Sequence, residues 1–452
     1  MNQNSLSRLS CLSVVVLGVF AMVFYAATSW AFIDYVRRVG YNASADARGG
    51  TSIAIGDDVT NVEVNPALIS ETKSNALQTD ILFIFPRFDI FYDGTGGQRY
   101  KSTDAERWLM APTMSFAHKI KDSRWAWGLS FAAPDALLTD YTVQSKFFGA
   151  VNAKSKLMHL RFGPALSYQI TPKLSIGARL NIDYGSLDLR TPLGIAFLDT
   201  GNADGFGVSG SVGLLYKPMD NLSIGIFYES PGFMQDLETA NNDGYLKMMT
   251  PGGEVSFSQI GIKMKDFAFP QNCGLGVAYS PIPSVRLSAD VKYINWEADW
   301  DKVKLEFGGS GGDKMRMAGI PTTLEIPLDV QDQIVFGVGA EYFIDDKYTV
   351  SLGYHYHDDA IPTNNYIPIT PPEMTHSCTC GFSFKPADNV KIAFAYMYSF
   401  MDDPKGKKRH AFDEALENQL GLPAGALQSE LCNSEADYHE VHNLQLSVSF
   451  YW

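Results

Sequence analysis

The sequence predicts an all-β fold, a fourteen-stranded antiparallel transmembrane β-barrel with an N-terminal hatch plugging the lumen. Three observations carry the prediction. Long stretches alternate strictly between apolar and polar residues, the links between them are short and long by turns, and the segment ahead of the first strand follows neither a strand nor a helix period. Composition agrees with this. Of 452 residues 46% are apolar and only 19% charged, which excludes a disordered chain, while a mean hydropathy of -0.08 is too polar for a bundle of membrane helices. A formal net charge of -14 supplies no basic patch for a phosphate backbone, so no nucleic acid is expected as a partner.

Residues 1–31 read as a secretory signal peptide. Arg8 is their one charged residue, 12–27 are an apolar run, and Ser29-Trp30-Ala31 places small residues where a signal peptidase reads. The run is shorter than the ~20 residues a spanning helix needs, so it is read as cleaved after Ala31. Residues 32–73 come next. A segment of about 40 residues cannot bury a core alone, and the one large interior on offer is the barrel lumen, so this segment is read as a hatch.

Residues 74–452 form the barrel. In 174–184 the even positions Leu174, Ile176, Ala178, Leu180, Ile182 and Tyr184 are apolar, and the odd positions Ser175, Gly177, Arg179, Asn181 and Asp183 are small or polar. The same split recurs at 158–170, 206–216, 285–293, 334–342, 350–356, 390–400 and 444–452, with aromatics at the ends of the apolar faces as in a membrane girdle. Short turns fall at 120–123, 171–173, 217–221, 280–284, 344–347 and 385–389. Long links fall at 89–107, 134–153, 191–202, 237–259, 301–330, 359–374 and 401–438. Six short and seven long links join fourteen strands, with the short turns periplasmic and the long loops outside. The closing row Leu444, Leu446, Val448, Phe450 and Trp452 ends on an aromatic, the pattern read by barrel assembly machinery.

Polar residues on the inner faces decide between chemistry and support. His159, Arg161, Arg179, Asp183, Arg286, Asp290 and Lys292 show no Ser/His/Asp spacing, and opposite charges around a plugged lumen are more simply the contacts that hold a hatch. No enzyme is expected, and a general porin or adhesin is the alternative. His355 and His357 point into the lumen while Cys378 and Cys380 point to lipid, so no metal site and no cofactor is expected from them. Cys273 is also lipid-facing, and no structural disulfide is expected.

The run GGTSIAIGDDVTNVEVNPALIS at 49–70 resembles the hatch motif of the FadL/TodX family of outer-membrane transporters for hydrophobic compounds. Asp57, Asp58, Asn61, Asn65, Pro66, Ala67 and Leu68 fall on that motif. Further similarity lies at 276–296 and 332–376. The resemblance implies a monomeric fourteen-stranded barrel in the bacterial outer membrane that takes up long-chain fatty acids or apolar aromatics. It implies a ligand pocket at the mature N-terminus, where Phe32 stands, and a lateral exit at a kinked third strand, near Ala132, Ala133 and Pro134. Arg190 and Lys304 align on positions that contact a ligand carboxylate in fatty-acid carriers. The apolar positions change from even to odd near Gly185-Ser186, which is read as a bulge that turns Arg190 inward, toward a ligand or an acid such as Asp188. Lys304 lies past the clear alternation, in 301–307, where a solvated loop lysine is the simpler reading.

Overall fold

Alternating residues need two unlike environments, and the chain supplies them by rolling one sheet into a cylinder. The structure, a computed structural model, describes residues 35–93, 98–105, 108–328, 330–361, 370, 373–401, 411–426 and 434–452. Fourteen wall strands run in chain order. They are β1 (Ala76–Asp93), β2 (Leu109–Lys119), β3 in two pieces (Trp125–Ala132 and Ala136–Ser145), β4 (Gly149–Thr171), β5 (Leu174–Leu193), β6 (Ala196–Met219) and β7 (Leu222–Glu229). The second half comprises β8 (Asn272–Ile282), β9 (Val285–Ile294), β10 (Gln333–Phe343), β11 (Tyr348–His357), β12 (His376–Ala387), β13 (Val390–Phe400) and β14 (Glu435–Tyr451). Each is antiparallel to the next. β14 closes on β1, from Tyr451 opposite Ala76 to Glu435 opposite Phe91.

Both faces of the wall follow the sequence pattern. In β5 the side chains of Ser175, Arg179, Asn181 and Asp183 are buried inside, whereas Ile176, Leu180 and Ile182 are 42%, 63% and 53% exposed outside. An apolar surface this continuous belongs in lipid. The strands with this apolar outer face make the crossing; among the described residues no helix is long and apolar enough to cross a membrane. The six tight turns fall where Pro, Asp, Asn and Lys cluster.

Two long links are corrected. Residues 134–153 are mostly strand: β3 resumes at Ala136 and pairs with β4 out to Ser145 opposite Gly149. Residues 191–202 are also strand, since β5 and β6 meet at a two-residue turn, Gly194-Ile195. Above the membrane a strand has no lipid face, so alternation fades there although the hydrogen-bonded ladder continues. The other long links carry structure of their own, including the helices Gly309–Met317 and Ala411–Leu420.

The chain from Tyr35 to Ser74 lies inside the cylinder; residues 1–31 and Phe32 lie outside the described residues. It contains one helical turn, α1 (Ala43–Ala47), whose Asn42 side chain accepts from the Ala45 N–H, and two 3-10 turns, Val59–Glu63 and Pro66–Glu71. Asn65 caps the last by accepting from the Ala67 N–H, and Pro66 stands at the first position, where no N–H is needed. The wall makes room for it with glycine: a side chain at Gly177 would strike the Pro66-Ala67 backbone, and one at Gly213 would strike Asn65.

Candidate functional site

Hatch and wall are joined by charges and hydrogen bonds on every side. Asp57 pairs with Arg286 at 2.5 Å, Asp58 with Lys391 at 2.7 Å, Glu63 with Arg179 at 2.8 Å and Arg48 with Glu341 at 2.9 Å. The Arg286 guanidinium, with Lys391 beyond it, holds Asp57 well below the usual carboxylate range. Asp290 accepts from the backbone N–H groups of Ser52 at 2.7 Å and Ile53 at 3.0 Å. Lys292 donates to the Val39 carbonyl at 3.2 Å, and the Gly49 carbonyl lies 3.2 Å from His355 Nδ1. Asn61 donates to the Ile55 carbonyl and accepts from Asn42, while Asn65 donates to the carbonyls of Ile53 and of wall residue Leu214. Ala67 and Leu68 pack on Leu215. Four of the inner-face residues singled out in the sequence, Arg179, Arg286, Asp290 and Lys292, thus touch the hatch directly.

Among the described residues the wall is broken between β2 and β3. β2 and the lower half of β3 pair only as far as Thr113 opposite Ala132, and beyond that point β3 keeps its partner β4 but leaves β2. Pro134 cannot donate to a ladder, which suits it to this break. The start of the hatch takes the place of the missing neighbour. Arg38 N–H donates to the Pro134 carbonyl at 3.1 Å, Ala136 N–H donates to the Val36 carbonyl at 2.7 Å, and Arg37 and Asp135 form an antiparallel bridge. Their side chains pair as well, Arg37 Nε to Asp135 at 2.6 Å. The other Asp135 oxygen meets His159 Nδ1 at 2.6 Å, His159 Nε2 meets Asp183 at 2.9 Å, and Arg161 links Asp183 to Glu229. One buried ionic chain therefore ties the hatch to the kink.

Two apolar clusters lie above this polar floor. The first gathers Tyr35 and Val36 with Leu187, Phe267, Phe269, Trp296, Trp300, Leu305 and Phe307. Tyr35 meets Trp296 and Trp300 edge-on at 5.2 and 5.8 Å, and the Arg37 guanidinium lies 5.7 Å from the Trp296 ring centre. The second crosses the wall. Its inner members Leu82, Ile84, Leu109, Ala111, Met397 and Val441 share the lumen face of their strands, and Ala133, Ala136 and Leu138 line the break. Its outer members Met158, Leu160 and Tyr184 share strand parity with the lipid-exposed Phe162 and Ile182.

Placement of the expected ligand cations differs from the sequence reading. The register shift next to Arg190 puts the extra residue in β6, at Thr200-Gly201, and not in β5. The odd side of β5 faces inward throughout, for Leu187 and Leu193 pack with Tyr35 in the first cluster. Arg190 shares the outer side with Asp188 and pairs with Asp199 at 3.1 Å and Asp188 at 3.8 Å. The change of phase is a change of lumen chemistry, polar beside the hatch and apolar above it, with no turn of the strand. Lys304 stands in a loop strand, Lys302–Gly308, whose Leu305 and Phe307 enter the apolar cluster while Lys304 is half-buried on the alternate side. Ala132, Ala133 and Pro134 sit at the break. The residue that sequence reasoning missed is Asp135, a lone acid in the apolar stretch 129–138.

Comparison with known proteins follows this geometry. A family model described as outer membrane protein transport protein (OMPP1/FadL/TodX) matches residues 23–426. The long-chain fatty acid transport protein of Escherichia coli (strain K12) is 22% identical over 391 residues, covering 76% of this chain and 83% of its own. That of Salmonella typhi is 23% identical over 384 residues, covering 76% and 82%. The toluene transporter TodX of P. putida superposes with a TM-score of 0.73 at 20% identity, over 91% of this chain and 99% of its own. A Pseudomonas aeruginosa FadL homologue gives 0.68 at 16% identity, over 92% and 99%. A hatch-filled fourteen-stranded barrel matched over most of its length in this way belongs to the OMPP1/FadL/TodX family of outer-membrane transport proteins.

Proposed function

We propose that the chain moves a small hydrophobic molecule passively into the outer membrane: captured among the long loops, held in the apolar lumen above the hatch, and released sideways beside β3. The observation that carries this reading is the apolar cluster that passes through the break at Ala133 and Ala136, from the lumen side of β1 to the lipid side of β4 and β5. A water-filled pore would cost the ligand about 0.8 kcal/mol per CH2, whereas a sideways exit keeps it among apolar groups. Displacement of residues 36–38 would remove the hydrogen bonds that hold the kink, so ligand binding at Tyr35 and opening of the exit are coupled. The C-terminal row, with Leu444 and Trp452 exposed, supports recognition by barrel assembly machinery, and the barrel is taken as a monomer.

Charge distribution favours a neutral cargo, such as an apolar aromatic. Arg190 is engaged by acids on the outer side, Lys304 lies across its strand from Leu305 and Phe307, and Arg37 beneath Trp296 is committed to Asp135. A long-chain fatty acid is the second reading, favoured by the function named for the Escherichia coli and Salmonella relatives. Ligand binding by purified Arg190→Ala separates the two. A neutral aromatic and a long-chain fatty acid should each bind as to wild type; a selective loss of about ten-fold for the fatty acid would restore Arg190 as the carboxylate partner.

A further inference from the structure

On the lipid side of the wall, away from the break, an apolar groove of about 530 Å3 runs across β3 to β7. Trp125, Tyr168, Ile176, Ala178, Val212 and Tyr228 line it. It arises where one small residue stands among large ones. The register sets Leu166, Ala178, Val212 and Tyr228 side by side, and Ile176 and Leu180 project on either side of Ala178. Five strands at ~4.8 Å spacing make a trough roughly 19 Å long, the scale of an extended acyl chain.

The trough descends to the short-turn end of the barrel at Trp125 and Tyr168, whose rings lie 4.6 Å apart, an aromatic pair of the kind found at the membrane–water boundary. Directly below it the three turns at 119–124, 171–173 and 217–221 carry Lys119, Lys121, Arg124, Lys173 and Lys217 against Asp122 and Asp220. The other three turns carry Lys347 and Lys385 against Asp345, Asp346 and Asp388, so the basic arc is confined to the sector of the groove. Arg124 donates one N–H to the Ile170 carbonyl at 3.0 Å and Lys173 one to the Pro218 carbonyl at 2.8 Å. Both side chains are thereby laid along the rim, exposed, with N–H groups left over. Among the described residues neither is within ion-pair distance of a carboxylate.

We infer that this sector binds an anionic phospholipid of the periplasmic leaflet, one acyl chain in the trough and the phosphate held by Arg124 and Lys173. Charge-assisted hydrogen bonds from two cations recognise the phosphate, and the apolar lining accepts the chain. A second copy of the protein is a poorer occupant, because a symmetric contact would bring two basic arcs together. The test is native mass spectrometry of the delipidated full-length barrel titrated with phosphatidylglycerol or with phosphatidylcholine of the same chains. Wild type should retain one phosphatidylglycerol with a preference on the order of ten-fold, and Arg124→Gln/Lys173→Gln should abolish the preference. Ala178→Phe, which fills the trough, should lower retention of both lipids. The rim variants alter exposed turns, so they report even if Ala178→Phe fails to assemble. Equal retention of both lipids by wild type, an unchanged preference in the rim variant, or a dimer mass in place of a lipid adduct would overturn the assignment.

Discussion

Asp135 is the residue on which the kink depends. It is fully buried, accepts from Arg37 with both oxygens and shares one of them with His159, so it joins the start of the hatch to β4. Breaking a buried pair strands the remaining charge, and Arg37→Ala should cost on the order of 3 to 5 kcal/mol in local order. Hydrogen exchange should then quicken at the amides of Arg38 and Ala136, and the Arg37→Ala/Asp135→Ala double variant should lose less than the sum of the singles. Additive losses would show that the two residues act separately. This pair was not legible in the sequence because a lone acid beside a proline reads as a turn. Arg190 illustrates a different limit: hydropathy tells a strand's faces apart but not which one is inside once the lumen itself becomes apolar. Lys304 was legible in part, since Val303, Leu305 and Phe307 already mark the apolar side of its strand.

At the scale of elements, the hatch depends on local turn geometry that the sequence does announce. Asn65 caps its turn and also bonds two carbonyls, so Asn65→Ala loses a cap worth about 1 kcal/mol together with the bonds to the carbonyls of Ile53 and Leu214. The expected outcome is ionic leak through planar bilayers; a variant that stays closed would remove Asn65 from the seal. The contacts of Glu373, ahead of β12, should answer to pH. Glu373 accepts from the N–H groups of Ala360 at 2.8 Å and Ile361 at 2.5 Å, and burial, aided by Asp359 and Asp358, pushes its carboxyl up to about 8. A value raised in the folded state stabilises these two contacts fully below the ordinary value of 4.5, and the contribution is lost as pH rises through about 8. Amide exchange at Ala360 and Ile361 should therefore accelerate across that window beyond its intrinsic pH dependence, and Glu373→Gln should abolish the excess. Neither contact was legible, because Glu373 and Ala360 stand 13 positions apart with no periodic pattern to pair them.

The whole molecule is a closed cylinder, and the interruption between β2 and β3 is filled by its own N-terminal chain. The cylinder was legible because lipid outside and polar groups inside impose a period of two for as long as a strand is in the membrane. The interruption was legible only as Pro134, since the loss of pairing between β2 and β3 depends on what replaces it, and that replacement comes from residues about 100 positions earlier in the chain. Uptake by whole cells of a radiolabelled neutral aromatic, compared between wild type and Ala136→Trp, tests whether the molecule leaves through the break. The indole would fill the break between β2 and β3 at a buried position whose N–H also holds Val36 of the hatch, so assembly is checked by heat-modifiable migration on a gel and closure of the hatch by the absence of ionic leak. Uptake should fall about ten-fold or more with assembly intact; uptake at the wild-type rate with the break filled would mean that the molecule leaves by another path.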